Sequence, residues 1–192
     1  MGILVIGLLL FLGVHSIRIV ADPWRTAMRA RIGEGPWKGL YSLTSIVGFA
    51  LIIWGYGIAR RESAVIWTPP MGIRHLTILL VAIAFILIAA AYVPGNRIKR
   101  VVGHPMSAGT AIWAFGHLLA NGTANAVLLF AAFLVWAVAS FLSARHRDQV
   151  AGTTYPAGTA GRDVVTVVGG LVVWAVFGYF LHGPLIGLNP MG

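Results

Sequence analysis

The sequence predicts an all-α membrane protein, a bundle of about six transmembrane helices that forms one domain over residues 1–192. Two observations carry this expectation. Of the 192 residues, 58% are hydrophobic and 10% charged, with a mean hydropathy of +0.86, whereas soluble domains carry about a quarter charged residues. The apolar residues also fall into runs of membrane-span length separated by helix breakers, so that six spans with short loops use nearly the whole chain.

The first run covers Ile3 to Ala21 and is interrupted by His15-Ser16 and Arg18. No cationic region precedes it and no small-residue cleavage site follows it, so it reads as a retained helix rather than a signal peptide. The second spans about Lys38 to Ala59 and the third about His75 to Val93. The fourth starts at Pro105, a favourable first helical residue, and ends near Asn121-Gly122. The fifth covers about Thr123 to Ser143 and the sixth about Asp163 to Leu181. Breakers lie between them: Asp22-Pro23, Gly33 to Pro36, Pro69-Pro70, Pro94-Gly95, Asn121-Gly122, and Gly152 to Gly161.

The cations orient this bundle. Arg25, Arg29, Arg31 and Lys38 follow helix one; Arg97, Lys99 and Arg100 follow helix three; Arg145, Arg147 and Arg162 follow helix five. The other side has Arg60, Arg61 and Arg74. The positive-inside rule then puts both termini outside, as expected of a protein of a bacterial inner membrane. Trp24 and Trp37 fall near one interface and Trp67 near the other, as in an aromatic belt. The same distribution accounts for the net charge of +9 without nucleic acid, since short loops between spans cannot build a basic groove.

Composition narrows the chemistry further. There is no cysteine, which excludes disulfides, iron–sulfur clusters, thiolate ligation and covalently attached c-type heme. The carboxylates Asp22, Glu34, Glu62, Asp148 and Asp163 all fall at helix ends or in loops, which argues against a proton-coupled transporter with an acidic residue at mid-depth. Paired, broken helices of the inverted-repeat kind are also missing from the pattern. Helix two carries Tyr41, Ser45, Gly48, Ile52 and Tyr56 on one stripe, and helix six carries Gly169-Gly170 and Gly178; both read as helix-packing faces.

Histidine remains: His15, His75, His104, His117, His146 and His182. His146 lies among Arg145, Arg147 and Asp148 and reads as interfacial, as does His182 before Gly183-Pro184. His15 and His117 lie well inside apolar runs, where an imidazole must be satisfied and a functional role becomes the default. At 1.5 Å per residue, His15 sits about 4–5 Å to the cytoplasmic side of the centre of helix one, and His117 about 6 Å to the outer side of helix four. Each Cα–Cβ bond tilts toward its helix N-terminus, so in antiparallel helices both rings lean toward the midplane. The same lean disfavours His15 with His104 and His75 with His117. If helices one and four are neighbours, His15 and His117 form the best metal-ligand pair, and neutral imidazoles on facing helices suit a heme iron. Arg18, one turn from His15, either binds a heme propionate or snorkels to the interface. Trp113 and Asn121 flank His117 at i−4 and i+4; they either stack on a porphyrin and fix the imidazole tautomer, or simply pack and end the helix.

Taken together, these segments resemble the NnrU family of bacterial membrane proteins. The matching residues are Phe11 to Ile19 (FLGVHSIRI), Gly33-Glu34, Lys38 to Leu43, Gly55-Tyr56, His104-Pro105-Met106 and Trp113 to Gly122 (WAFGHLLANG), in the right order over most of the chain. More distantly the chain is similar to plant zeta-carotene isomerases, through His15-Ser16, His104-Pro105, Trp113 with His117, and Gly178 to His182. The isomerase resemblance implies a heme b cofactor with its ligands at His15 and His117 and with His104 among the shared residues near it. The plant pattern has a cysteine where this chain has Ala114, so a redox ligand switch through that thiol is absent and isomerase activity is in doubt. The NnrU resemblance implies a role linked to nitric oxide and nitrite, that is, to denitrification, without supplying a reaction.

Four functional expectations follow. The first is a heme b membrane protein whose iron does redox chemistry or binds nitric oxide. The second is a heme-dependent cis-trans isomerase acting on a lipid-soluble polyene. The third is a non-enzymatic accessory factor of a respiratory complex, with structural histidines. The fourth, a two-heme electron carrier using His15, His75, His104 and His117, runs against the side-chain lean.

Overall fold

The computed structural model describes residues 1–188. Helix α1 (Gly2–Val20) breaks at Ala21 and leads into a short helix, α2 (Asp22–Ile32). Gly33, at φ 89°, turns the chain into α3 (Glu34–Ala59), which tightens into a 3₁₀ turn at Arg60–Glu62. An extended linker reaches α4 (Ile73–Tyr92), followed by α5 (Arg97–Val102), α6 (Pro105–Ala120) and α7 (Ala124–Ala151). The last long helix, α8 (Ala160–Val176), passes through a π-helical turn at Phe177–Leu181 into α9 (His182–Ile186).

Five of these segments are long and apolar enough to cross a membrane: Gly2–Val20, Glu34–Glu62, Ile73–Tyr92, Ala124–Ala151 and Ala160–Ile186. The expected fourth span, α6, has 16 residues, about 24 Å at 1.5 Å per residue, which is shorter than a typical hydrocarbon core. It nonetheless runs from one end of the bundle to the other. At its start, His104 bonds Asp148 near the end of α7. Beyond its end, Thr123 pairs with Val65 of the α3–α4 linker, and Gly122 O accepts from Ile66 N and Trp67 N. A β-carbon on Gly122 would overlap the Trp67 carbonyl, so only glycine permits this tuck.

Each long element packs on the next in the order α3, α1, α7, α6, α4, α8. Small residues set the approach. A β-carbon at Gly7 would lie 2.7 Å from Ile52 N, and one at Gly48 would lie 2.7 Å from Phe11 N. At Gly55 it would strike the backbone of Leu4. Gly109 does the same between α6 and α4, and Gly170 between α8 and α4. In lipid the association of helices rests on this close van der Waals contact rather than on escape from water. The stripe through Gly48 and Ile52 is thus the α1–α3 seam, and Gly170, rather than Gly169, is the packing glycine of α8. A buried cluster of Leu4, Leu8, Ile52, Ala126, Leu129 and Phe130 fills the space among α1, α3 and α7. Outward-facing Leu9, Ile46, Val135 and Phe180 are 66–70% exposed, which is tenable against acyl chains and not against water.

The charges divide between the ends. At one end Asp22 pairs with Arg25 (3.4 Å), Glu34 with Lys38 (2.9 Å) and Arg29 (3.4 Å), and Asp163 with Arg97 (3.7 Å). Trp24 meets Trp37 edge-on there, with ring centroids 6.0 Å apart. At the other end Arg60 donates to Ile186 O, and the first turn of α1 lies against α3 at Gly55. The first described helix therefore starts, and the last finishes, at the same, less basic end.

Two stretches differ from the sequence expectation. Asp22-Pro23, expected as a break, begins α2, because proline in the first turn lacks only an N–H that would be unpaired anyway. Helix α7, expected to end near Ser143, continues through Arg145, His146, Arg147 and Asp148 to a left-handed cap at Gly152 (φ 61°). Hydropathy marks where a helix leaves lipid, whereas its end is set by the cap.

Candidate functional site

At the basic end, α1, α3, α6 and α7 enclose a cavity of about 600 Å³ whose wall includes His15, Arg18, Tyr41, His104, Trp136 and Arg147, with Arg25 and Asp148 near its mouth. The i→i−4 geometry of α1 lets His15 Nδ1 donate to Phe11 O at 2.6 Å. A carbonyl can only accept, so the proton is on Nδ1, and Nε2 keeps its lone pair with no partner among the described residues. Phe11, Tyr41 and Trp136 box the ring, with centroids at 4.3, 5.1 and 5.9 Å. A carbonyl fixing the tautomer and rings fixing the plane are what an imidazole needs to serve as a metal ligand.

The rest of the wall is rich in donors. Arg18 has no side-chain partner among the described residues, whereas Arg25 is tied to Asp22 and Arg147 donates to Ser143 Oγ at 2.6 Å. The Trp136 indole N–H is buried without an acceptor. Ser107 and Ser140 share a hydrogen bond at 3.2 Å across α6 and α7. Three guanidiniums thus line a cavity whose sole lining carboxylate among the described residues is Asp148, and that carboxylate is occupied: His104 Nε2 donates to it at 2.8 Å and Tyr155 OH at 2.6 Å. Burial, followed by the bond to Asp148 and its charge, pushes the Tyr155 phenol up to about 12, so it remains a donor. Three guanidiniums against one occupied carboxylate give the cavity a positive character whose electrostatic complement is an anion.

His117 faces a different space. It lines a cavity of about 70 Å³ toward the less basic end, with Thr77, Phe85, Trp113, Trp174, Phe177 and His182 among the wall residues. Its Nδ1 donates to Trp113 O at 2.9 Å, again leaving Nε2 free of any partner among the described residues. Between the two cavities stands a layer of rings. Phe11 meets Phe133 at 5.8 Å, Phe133 meets Trp113 at 5.6 Å, and Phe130 stacks on His117 at 4.6 Å.

The placements of the expected site residues follow from this. His15, Arg18 and His104 come together in the large cavity, although the axial lean had disfavoured His15 with His104. Trp113 and His117 line the small one. The assumption that helices one and four are neighbours does not hold, because α7 packs against both α1 and α6 and separates them. Asn121 Nδ2 bonds His117 O at 2.8 Å rather than the ring, so the tautomer is fixed by Trp113's carbonyl and not by Asn121. Trp113 meets the His117 ring at a tilt, with centroids 5.0 Å apart, and Phe130 edge-on at 5.3 Å. His75 is exposed on the first turn of α4 and lines neither cavity. Sequence reading passed over Trp136, Tyr155 and His182 as site residues. An indole N–H inside a lipid-embedded helix was the one local signal, since such a donor normally finds an acceptor.

These features define a polytopic α-helical membrane protein with an arginine-rimmed, histidine-bearing cavity open at its basic end. The family model described as NnrU protein matches residues 3–190, and the chain belongs to that family. No curated protein and no solved structure matches it.

Proposed function

We propose that this NnrU-family membrane protein binds heme b in the large cavity, with His15 as an iron ligand, and serves nitric oxide and nitrite metabolism of the denitrification type. The observation that carries the proposal is the free Nε2 of a tautomer-fixed His15 beside an unpaired Arg18. A volume of about 600 Å³ lies within the range of cofactor sites, and the excess of guanidiniums over carboxylates suits a group bearing two propionates. When bound, heme supplies an iron that exchanges an electron or takes a diatomic ligand. Of the chain's own residues, Phe11's carbonyl holds the His15 proton on Nδ1, Tyr41 and Trp136 flank its ring, and Arg18 and Arg147 in the wall would receive the propionates. Asp148 keeps His104 protonated on Nε2, leaving its Nδ1 without a partner among the described residues.

A bis-histidine arrangement with His117 as the second ligand is the other form of this proposal, supported by the identical Nδ1-to-carbonyl tether on that ring. It requires Phe11, Phe133 and Trp113 to part. Isomerisation of a lipid-soluble polyene would use the same site, and an accessory role in a respiratory complex would use none of it.

The test is the visible spectrum of protein purified in detergent from heme-supplied cells. We expect a Soret band at one heme per chain, abolished by His15→Ala and weakened by Arg18→Gln. Retention of heme in His117→Ala supports the single-cavity form, and loss supports the pair. A well-folded protein without a Soret band overturns the heme proposal in either form.

A further inference from the structure

The small cavity holds a second and independent pair of imidazoles. His117 reaches it from α6 and His182 from the start of α9, and each ring has its Nδ1 bonded to a main-chain carbonyl: His117 to Trp113 O at 2.9 Å, His182 to Leu188 O at 2.7 Å. Both rings must therefore carry the proton on Nδ1, and both present an unprotonated Nε2 that has no partner among the described residues. Both residues line the same cavity, and neither lone pair meets a hydrogen-bond donor among the described residues. The π-helical turn at Phe177–Leu181 shifts the register of the chain just before His182, and such turns recur where a helix must re-aim a functional side chain. Phe177 meets the His182 ring edge-on at 6.0 Å and steadies it.

We propose that His117 and His182 form a metal site for monovalent copper. The cavity, about 70 Å³, admits an ion with a small ligand and excludes a porphyrin. Imidazole nitrogen suits copper, zinc, iron and nickel. Zinc needs four ligands, and no carboxylate among the described residues lines this cavity, so a divalent ion would sit there with uncompensated charge. A monovalent ion with two neutral nitrogen donors meets neither difficulty, and the indole faces of Trp113 and Trp174 in the wall favour a cation. The carbonyl tethers supply the outer-shell orientation that metal-binding imidazoles require.

The experiment uses full-length protein purified without heme supplementation and titrated anaerobically with copper(I) against a chromogenic chelator. One copper per chain is expected to resist the chelator, with X-ray absorption showing two nitrogen neighbours. Loss of an outer-shell partner alone weakens metal sites by about 10–100-fold, so removal of a ligand in His182→Ala or His182→Gln should surrender the copper completely. Circular dichroism of the two variants checks that the helices persist. His15→Ala should bind copper unchanged in this titration and, prepared separately from heme-supplied cells, should lack the heme that His182→Ala retains, which separates this site from the heme proposal. Equal copper retention by wild type and both His182 variants overturns the site, as does failure of the wild type to compete. Loss of heme in His117→Ala overturns it too, since His117 would then be an iron ligand.

Discussion

Replacing Gly48 by alanine tests the link between helix packing and the His15 site. The new β-carbon would lie 2.7 Å from Phe11 N and 3.0 Å from Phe11 Cα, where ordinary contact begins at 3.4 Å. The obstruction is backbone, so no side-chain rotation relieves it, and α1 must move from α3 by about 0.7 Å. Overpacking of this kind costs about 1–3 kcal/mol. Alanine also favours the helix over glycine by about 0.5–1 kcal/mol, which offsets part of that cost. Gly57→Ala on the same helix removes the ambiguity: nothing lies within 4 Å of its β-carbon, so it gains the helix term alone. The two variants should therefore differ by about the overpacking cost, 1–3 kcal/mol, with Gly48→Ala the less stable. Because Phe11 O holds His15 Nδ1, the same displacement should also reduce heme retention. The assay is thermal unfolding in detergent followed by circular dichroism, with the heme spectrum recorded in parallel. Equal stability of the two variants would refute the idea that close backbone contact at Gly48 sets the α1–α3 distance.

Two further outcomes are expected. Thr77 Oγ1 donates across the α4–α6 seam to Gly116 O at 2.9 Å, and Thr77→Val should lower stability by about 0.6 kcal/mol, the usual worth of such a bond in a membrane, as measured by the same unfolding assay. Tyr155 should ionise near 12 in a tyrosinate absorbance titration, a signal missing in Tyr155→Phe. Its folded value lies above the ordinary 10, so its contribution to stability is fully present below about pH 10 and is lost as the pH rises through about 12. Asp148→Asn should bring that ionisation only partway down, because burial, the larger cause, remains.

The spans were legible because lipid imposes one strong rule, that long apolar runs be helical, and breakers and caps punctuate them. The α1–α3 seam could also be read, since Gly48 and Ile52 fall on one stripe. Lateral order could not. The lean of a Cβ bond fixes where a ring sits along the axis but says nothing about which helix it faces, and α7 turned out to separate α1 from α6. The hydrogen bonds of His104 illustrate the same limit: its partners Asp148 and Tyr155 are 44 and 51 residues away, and one of them lies in a loop with no periodicity. His15 and Arg18 were visible because an imidazole and a guanidinium in an apolar run need a reason to be there. His182 was passed over because its ring sits at a helix end, where an interfacial role explains a histidine without any cavity.

Helix α7 gives these pieces a common logic. Toward the basic end it presents Trp136, Ser140, Arg147 and Asp148 to the large cavity, and further along it presents Phe130 and Phe133 to the layer of rings between α1 and α6. Polar groups on one stretch and aromatic groups on the next make a wettable pocket that ends on an apolar wall. Past His15 the contacts run from Phe11 through Phe133 to Trp113, rings that offer water and anions little to bond. The carboxylates obey the same division: among the described residues each ion pair to a carboxylate lies at the basic end, and none lines the small cavity. A heme shared by His15 and His117 would have to breach that wall, so the spectra of the two single-histidine variants read directly whether the Phe11–Phe133–Trp113 contact is a permanent partition or a joint.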